Sequence, residues 1–190
     1  MDYQQILESI TEEVKPLVTK GKVADYIPAL AKVDINQFAM SVITIDGAEF
    51  HTGDTNVKFS IQSISKVFTF ALAFRELQDR IWSRVGREPS GNPFNSLIQL
   101  EKENGIPRNP FINAGALVIT DMLFDIATNP RNKLLEAIQH LSGGENISFN
   151  KQISESERAN GFRNAALANF LKSHQNIKHD IEEVLNLYFC

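Results

Sequence analysis

Ser63 and Lys66 stand three residues apart in the run Phe59-Ser-Ile-Gln-Ser-Ile-Ser-Lys66. On a helix that spacing brings Cβ atoms within about 5–6 Å of each other, so a flexible lysine stem can carry its nitrogen to the serine oxygen. The pair would be a nucleophile beside its base, the arrangement of Ser-x-x-Lys hydrolases. The lysine would have to give up a proton first. With an ordinary pKa of about 10.4, only about four lysines in ten thousand are neutral at pH 7, a deficit of about 4–5 kcal/mol. Burial and the positive end of a helix dipole both lower that pKa and together could offset most of the deficit.

The tetrapeptide alone is weak, since a chain with 13 serines and 11 lysines forms such a spacing readily by chance. Ser63 could instead cap a helix, with Lys66 a solvated first-turn residue. The flanking pattern supplies context. Phe38 to Ile45 alternates, Asp46-Gly47 has the chemistry of a type I′ turn and Ala48 to Thr52 returns, predicting a β-hairpin. Ile64, Val67, Phe68, Ala71, Leu72 and Phe74 then follow helical spacing, predicting a buried helix that opens at Ser63.

Other elements follow from periodicity and breakers. Ile6, Ile10, Val14 and Leu17 predict an N-terminal helix ending near Gly21, and a short helix is expected from Asp25 to Ala31 with Asp25 as its cap. Two breaker-rich loops, Val85 to Ser96 and Asn104 to Pro110, are long enough to suggest function and would bracket the mouth of a site. Helices are expected from Asn113, from Asn129-Pro130 to His140 or Leu141, in part over Phe149 to Ala159, over Phe162 to Leu171, and from about His179. The last ends on Leu185, Leu187, Tyr188, Phe189 and Cys190 without a closing residue, and one hairpin is little sheet for a stable domain. The chain therefore reads as one domain, residues 1–190, cut short at its C-terminus, and its apolar last helix suggests self-association into a homo-oligomer.

Composition narrows the function classes. The chain has 190 residues, a formal charge of −4 and 43% hydrophobic residues, a soluble globular make-up without the basic footprint of a nucleic-acid binder. No apolar stretch is long enough to span a bilayer and the acidic, polar start is unlike a signal peptide, so a cytoplasmic location with no membrane partner is expected. One cysteine, Cys190, leaves no disulfide framework. His51, His140, His174 and His179 lack metal-ligand spacing, so neither a metal nor a catalytic histidine is expected.

Six blocks occur together: Val23-Ala-Asp-Tyr-Ile-Pro28, Gly53-Asp54, Ile61-Gln-Ser-Ile-Ser-Lys66, Glu88-Pro-Ser-Gly91, Arg108-Asn-Pro-Phe-Ile-Asn-Ala-Gly-Ala116, and Ser156-Glu-Arg158 with Arg163-Asn164. In order and spacing they resemble the serine-dependent glutaminase family, from about residue 20 to the last residue. The resemblance implies an α+β fold like that of serine β-lactamases and penicillin-binding proteins, with helices flanking an antiparallel sheet whose later strands are missing here. It also implies hydrolysis of L-glutamine to L-glutamate and ammonia through an acyl-enzyme, without a cofactor. Ser63 would be the nucleophile and Lys66 its proton-transfer partner, with Tyr26 beside the pair. Asn113, Glu157, Asn164 and Tyr188 would contact the substrate, Glu157 through its α-ammonium. Read without the resemblance, these are a helix cap, a surface charge and packing residues.

Ser90-Gly91-Asn92 is passed over as the Ser-x-Asn element of β-lactamases because it follows Ser63 too closely. Members of the family continue past residue 190 with a further tyrosine, a Lys-Ser-Gly strand and an oxyanion-hole N–H. The rival expectation is thus a catalytically inactive amino-acid-binding or subunit-interaction module. A β-lactam-directed relative ranks last, because a Lys-Thr-Gly-type strand and an export signal are lacking.

Overall fold

A computed structural model describes residues 1–144 and 146–190. The chain forms two units, Met1–Ser60 and Ile61–Cys190.

In the first unit, α1 (Tyr3–Val14) is capped by Asp2, whose carboxylate accepts from the Gln5 N–H. It lies along an antiparallel hairpin of β1 (Ala39–Ile43) and β2 (Glu49–Gly53). Leu7 is buried, the Tyr3 and Phe50 rings meet at 5.4 Å, Gln4 Nε2 donates to His51 O at 3.0 Å, and the Thr11 and Thr52 hydroxyls lie 3.1 Å apart. The hairpin register pairs Ile43 with Glu49. Its turn is not the expected two-residue I′ form. The Gly47 N–H bonds Thr44 O at 2.9 Å, the Thr44 N–H bonds Ala48 O at 3.0 Å, and only Gly47 has positive φ, at 85°. A type I turn followed by one left-handed glycine closes a three-residue loop. The expected helix from Asp25 to Ala31 reduces to a single 3₁₀ turn, Leu30–Lys32, without a side-chain cap. Asp25 pairs with Lys22 instead of capping.

The second unit is built around α4 (Asn113–Ile126), buried on every side from Ala114 to Met122 and Leu123 because its sequence is apolar nearly all round. Packed with it are α2 (Ser65–Leu77), α5 (Pro130–Ser142), α7 (Phe162–Ser173) and α8 (Ile181–Tyr188); α3 (Leu97–Lys102) and α6 (Lys151–Asn160) complete the helices. Asn129 caps α5 through the Asn132 N–H, with Pro130 in the first turn and Gly143 left-handed at the end, as the sequence predicts. Helix α3 lies between the two breaker-rich loops, where no helix was expected.

Helix α2 is rotated from its predicted setting. The buried stripe is Lys66, Thr69, Leu72, Ala73 and Leu77, whereas Ile64, Val67 and Phe74 are exposed. A helix apolar around most of its circumference offers no single phase for periodicity to find, and the setting it takes turns a lysine inward. The last helix also differs from expectation, since Val184, Leu185, Leu187 and Phe189 are all buried in the core. These four side chains therefore offer no free surface for self-association.

A buried ionic knot fixes the loops behind this core. Asp121 of α4 is fully buried, pairs with Arg84, and accepts from the Lys178 N–H at 3.1 Å, the His179 N–H at 2.9 Å and the His179 ring at 3.0 Å. Arg84 also reaches Asn176 O at 2.6 Å, and Asn176 Nδ2 donates to Arg84 O and Gly105 O. Burial pushes the Asp121 carboxyl up, but Arg84 and the two backbone N–H groups outweigh it and leave it below the usual range. Among the described residues no helix is long and apolar enough to cross a membrane.

Candidate active site

Ser63 lies in a 3₁₀ turn, Gln62–Ile64, immediately before α2, and not in the helix as expected. Neither Ile61 nor Ile64, the capping positions of these two elements, makes a side-chain cap bond. Ser63 therefore does not fill the capping role that was its alternative reading, and its side of the turn is exposed.

Lys66, 7% exposed, turns toward the start of α4. Its Nζ donates to Asn113 Oδ1 at 2.7 Å and to Phe111 O at 3.2 Å, with the Phe94 ring centroid 5.9 Å away. Asn113 Nδ2 in turn donates to Asn164 Oδ1 at 2.9 Å, linking α2, α4 and α7 through one polar chain. Loss of solvent lowers the Lys66 pKa to about 8, against the opposing pull of the Glu157 carboxylate. Glu157 on α6 accepts from the Gln62 side chain; burial raises its pKa while Gln62 and Lys66 oppose the rise. The Tyr188 phenol, half-buried, is raised by burial and by the Glu157 charge. Ser63, Lys66, Asn113, Glu157, Asn164 and Tyr188 all belong to the second unit, and Tyr26, 68% exposed, lies in the first.

The Arg108–Ala116 block explains how Phe111 O comes to hold the amine. Asn109 Oδ1 accepts from the Phe111 and Ile112 N–H groups at 3.0 and 3.1 Å, an Asx turn that satisfies donors at the head of α4. Its Nδ2 donates to Glu88 O, and the Gly86 and Glu88 N–H groups bond Pro107 O and Arg108 O, so the two long loops clasp each other. The Asn113 N–H bonds Phe94 O at 2.8 Å, so both loops reach the Lys66–Asn113 pair. Gly115 makes this possible, because a Cβ there would overlap the Asn109 carbonyl oxygen. Gly115→Ala is expected to displace the turn that carries Phe111 O and to cost about 1–3 kcal/mol of stability, read by denaturant titration.

The buried lysine sets a second expectation. Its folded pKa lies below the unfolded value, so between about pH 8 and pH 10.5 the unfolded chain holds a proton that the folded chain has lost, and stability rises with pH through that window. Lys66→Met removes this gain while keeping the apolar stem. The stability of wild type relative to Lys66→Met should improve by about 3 kcal/mol from pH 7 to pH 10.5 in paired denaturant curves.

Sequence reasoning named six of these side chains but missed two contributors. Phe111 acts through its carbonyl, which no side-chain pattern reveals. Gln62 lies within the Ile61–Lys66 block, and its side-chain bond to Glu157 joins segments far apart in the chain, which a single sequence does not display.

An α+β fold with an exposed serine in a 3₁₀ turn and a buried lysine three residues further on outlines the class, and comparison with known proteins supplies the family. Residues 21–190 match the family model described as Glutaminase. The chain is 52% identical over 189 residues to a glutaminase of Christiangramia forsetii and 55% identical over 190 residues to one of Aliarcobacter butzleri, covering 100% of this chain each time. It spans 62% of the length of both relatives. Among solved structures, a probable glutaminase from Bacillus subtilis complexed with 6-diazo-5-oxo-L-norleucine superposes with a TM-score of 0.82 at 32% identity, over 100% of this chain and 58% of the other. The chain belongs to the glutaminase family.

Proposed function

We propose that the intact protein hydrolyses L-glutamine to L-glutamate and ammonia through an acyl-enzyme on Ser63. One observation carries the reading: a lysine amine withdrawn from water, with its pKa lowered to about 8, three residues after an exposed serine. At pH 7 about one such amine in ten is neutral, against about four in ten thousand for an ordinary lysine. A neutral amine has two N–H donors, and Asn113 Oδ1 and Phe111 O accept two bonds from Nζ. The remaining tetrahedral position then holds a lone pair.

In this reading Lys66 takes the Ser63 proton as Oγ bonds to the side-chain amide carbon of glutamine. The amide nitrogen receives a proton as its bond to carbon breaks, and ammonia leaves. Water then attacks the ester, its proton passing back through Lys66, and glutamate is released. Glu157 pairs with the substrate α-ammonium, distinguishing the free amino acid from a glutamine within a peptide. Asn113, Asn164 and Tyr188 hydrogen-bond the substrate. The relative from Bacillus subtilis bound to 6-diazo-5-oxo-L-norleucine supports a glutamine-shaped ligand for the fold.

The two units work as one glutaminase domain in this proposal, which also keeps the cytoplasmic location and the homo-oligomer. For self-association the exposed Ile6, Ile10 and Leu17 offer apolar surface where α8 does not. Ammonia release from L-glutamine, assayed on the intact protein, tests the function. Turnover that disappears with Ser63→Ala supports it, and glutamine binding without turnover would instead favour an amino-acid-binding module.

A further inference from the structure

The second unit carries a cleft of about 510 Å³ that the reading of Ser63 does not use. Its apolar lining is Leu77 at the end of α2 with Met122 and Ile126 of α4, and its charged lining is Arg80, Arg84, Lys178 and Asp125. At about 1.5 Å of rise per residue, Met122 and Ile126 stand about 14–20 Å along α4 from Asn113. The cleft is therefore separate from the candidate active site, and its volume falls within the range of small-molecule sites.

Arg84 contributes an observation that the ionic knot does not absorb. Its side chain is 10% exposed. Nε donates to Asn176 Oδ1 at 3.2 Å, and Nη2 donates to Asp121 and to Asn176 O. Nη1, which is shielded from solvent, has no hydrogen-bond acceptor among the described residues. The Asp125 carboxylate lies 3.7 Å from Nη1 and 3.6 Å from His179 Nε2, beyond hydrogen-bond reach of either. Two N–H donors of a buried guanidinium are thus left to be satisfied, and buried groups of this kind are rarely unpaired. The charges point the same way. Three cations, Arg80, Arg84 and Lys178, stand against two carboxylates, Asp121 on the guanidinium and Asp125 in the lining, so one positive charge is unmatched there.

We propose that this cleft binds a monocarboxylate with an apolar body. The carboxylate accepts from Arg84 Nη1 and is drawn in by the Arg80 and Lys178 cations, and the body lies on Leu77, Met122 and Ile126. A carboxylate suits the planar guanidinium, and a single negative charge completes the count. The apolar lining suits hydrocarbon in the rest of the ligand. Asp125 stands between Arg84 and His179, so it serves the protein's own cations and not a ligand ammonium.

The test is a ligand-observed NMR titration of the intact protein with 3-phenylpropionate, beside its neutral amide, 3-phenylpropanamide, and the zwitterion L-phenylalanine. The acid is expected to bind with a Kd on the order of 0.1–1 mM, an ordinary efficiency for a ligand of its size, and the amide at least about tenfold more weakly. Lys178→Gln and Arg80→Gln change exposed side chains, and each should weaken the acid at least about threefold. Asp125→Asn removes the carboxylate that repels the ligand and should tighten binding by about two- to tenfold. Arg84 stays in place because Asp121 depends on it. Thermal melts check that each variant folds, and should one fail, the contrast of acid and amide in wild type decides with the remaining variants. No binding at about ten times the expected Kd, equal binding of the amide, or tighter binding of phenylalanine would overturn the proposal. So would an affinity unchanged in both cation variants, weaker binding in Asp125→Asn, or binding abolished by excess L-glutamate, which would put the ligand in the candidate active site instead.

Discussion

Ser63→Ala in the intact protein is expected to lower glutamine turnover by on the order of 10⁴–10⁶-fold, and Lys66→Met by at least about 10²–10⁴-fold, in a direct assay of ammonia release. The first change removes the atom that would form the acyl bond. The second keeps a stem of similar length in the stripe formed by Lys66, Thr69, Leu72, Ala73 and Leu77, so packing against α4 survives while the amine is lost. If hydroxyl and amine act in one proton transfer, as proposed, their losses should not add, and the double variant should be about as slow as Ser63→Ala alone. In wild type, kcat/KM should rise with pH and level off above about 8, as the buried amine loses its proton. Glu157→Gln removes the carboxylate that raises the Lys66 pKa, so the remaining activity should level off at lower pH.

The largest stability effect is expected at Asp121, which no functional reading touches. Asp121→Ala should destabilise the second unit by about 3–5 kcal/mol in denaturant titrations, because it strands the buried Arg84 guanidinium. It also leaves the Lys178 and His179 N–H groups without their acceptor. Asp125, the other acid near Arg84, is 3.7 Å away and half exposed, too distant to replace it. The sign of the pH dependence follows from the lowered Asp121 pKa. Its contribution is full above the unfolded carboxylate value of about 3.9 and is lost as pH falls through the lower folded value.

The sequence carried the helices with firm boundaries because local chemistry marks them. Asn129-Pro130 and Gly143 delimit α5 as read, and Asn113 begins α4 as read. Lys66, Asn113 and Asn164, which lie in three of the blocks that resemble the family, meet in one polar chain. What the sequence did not carry depended on contacts between distant segments. The inward setting of Lys66 is decided by packing on α4, and an α2 apolar on nearly every face gives no hint of it. The burial of α8 depends on a core assembled from four other helices, so Leu185 and Leu187 looked unpartnered. The Asp121–Arg84–Asn176 knot joins residues that are 37 and 92 positions apart, and nothing in their local sequence distinguishes them from surface polar groups.

The central claim, that a neutral Lys66 activates Ser63, can be tested by trapping. 6-Diazo-5-oxo-L-norleucine is a glutamine analogue whose diazo carbon takes up a proton and then bonds to a nucleophile as dinitrogen leaves. Peptide mass spectrometry of the treated intact protein should find the adduct on Ser63, forming faster as pH rises toward about 8, and absent from Lys66→Met at matched times. An adduct on another residue, or on Ser63 at the same rate in Lys66→Met, would contradict the account.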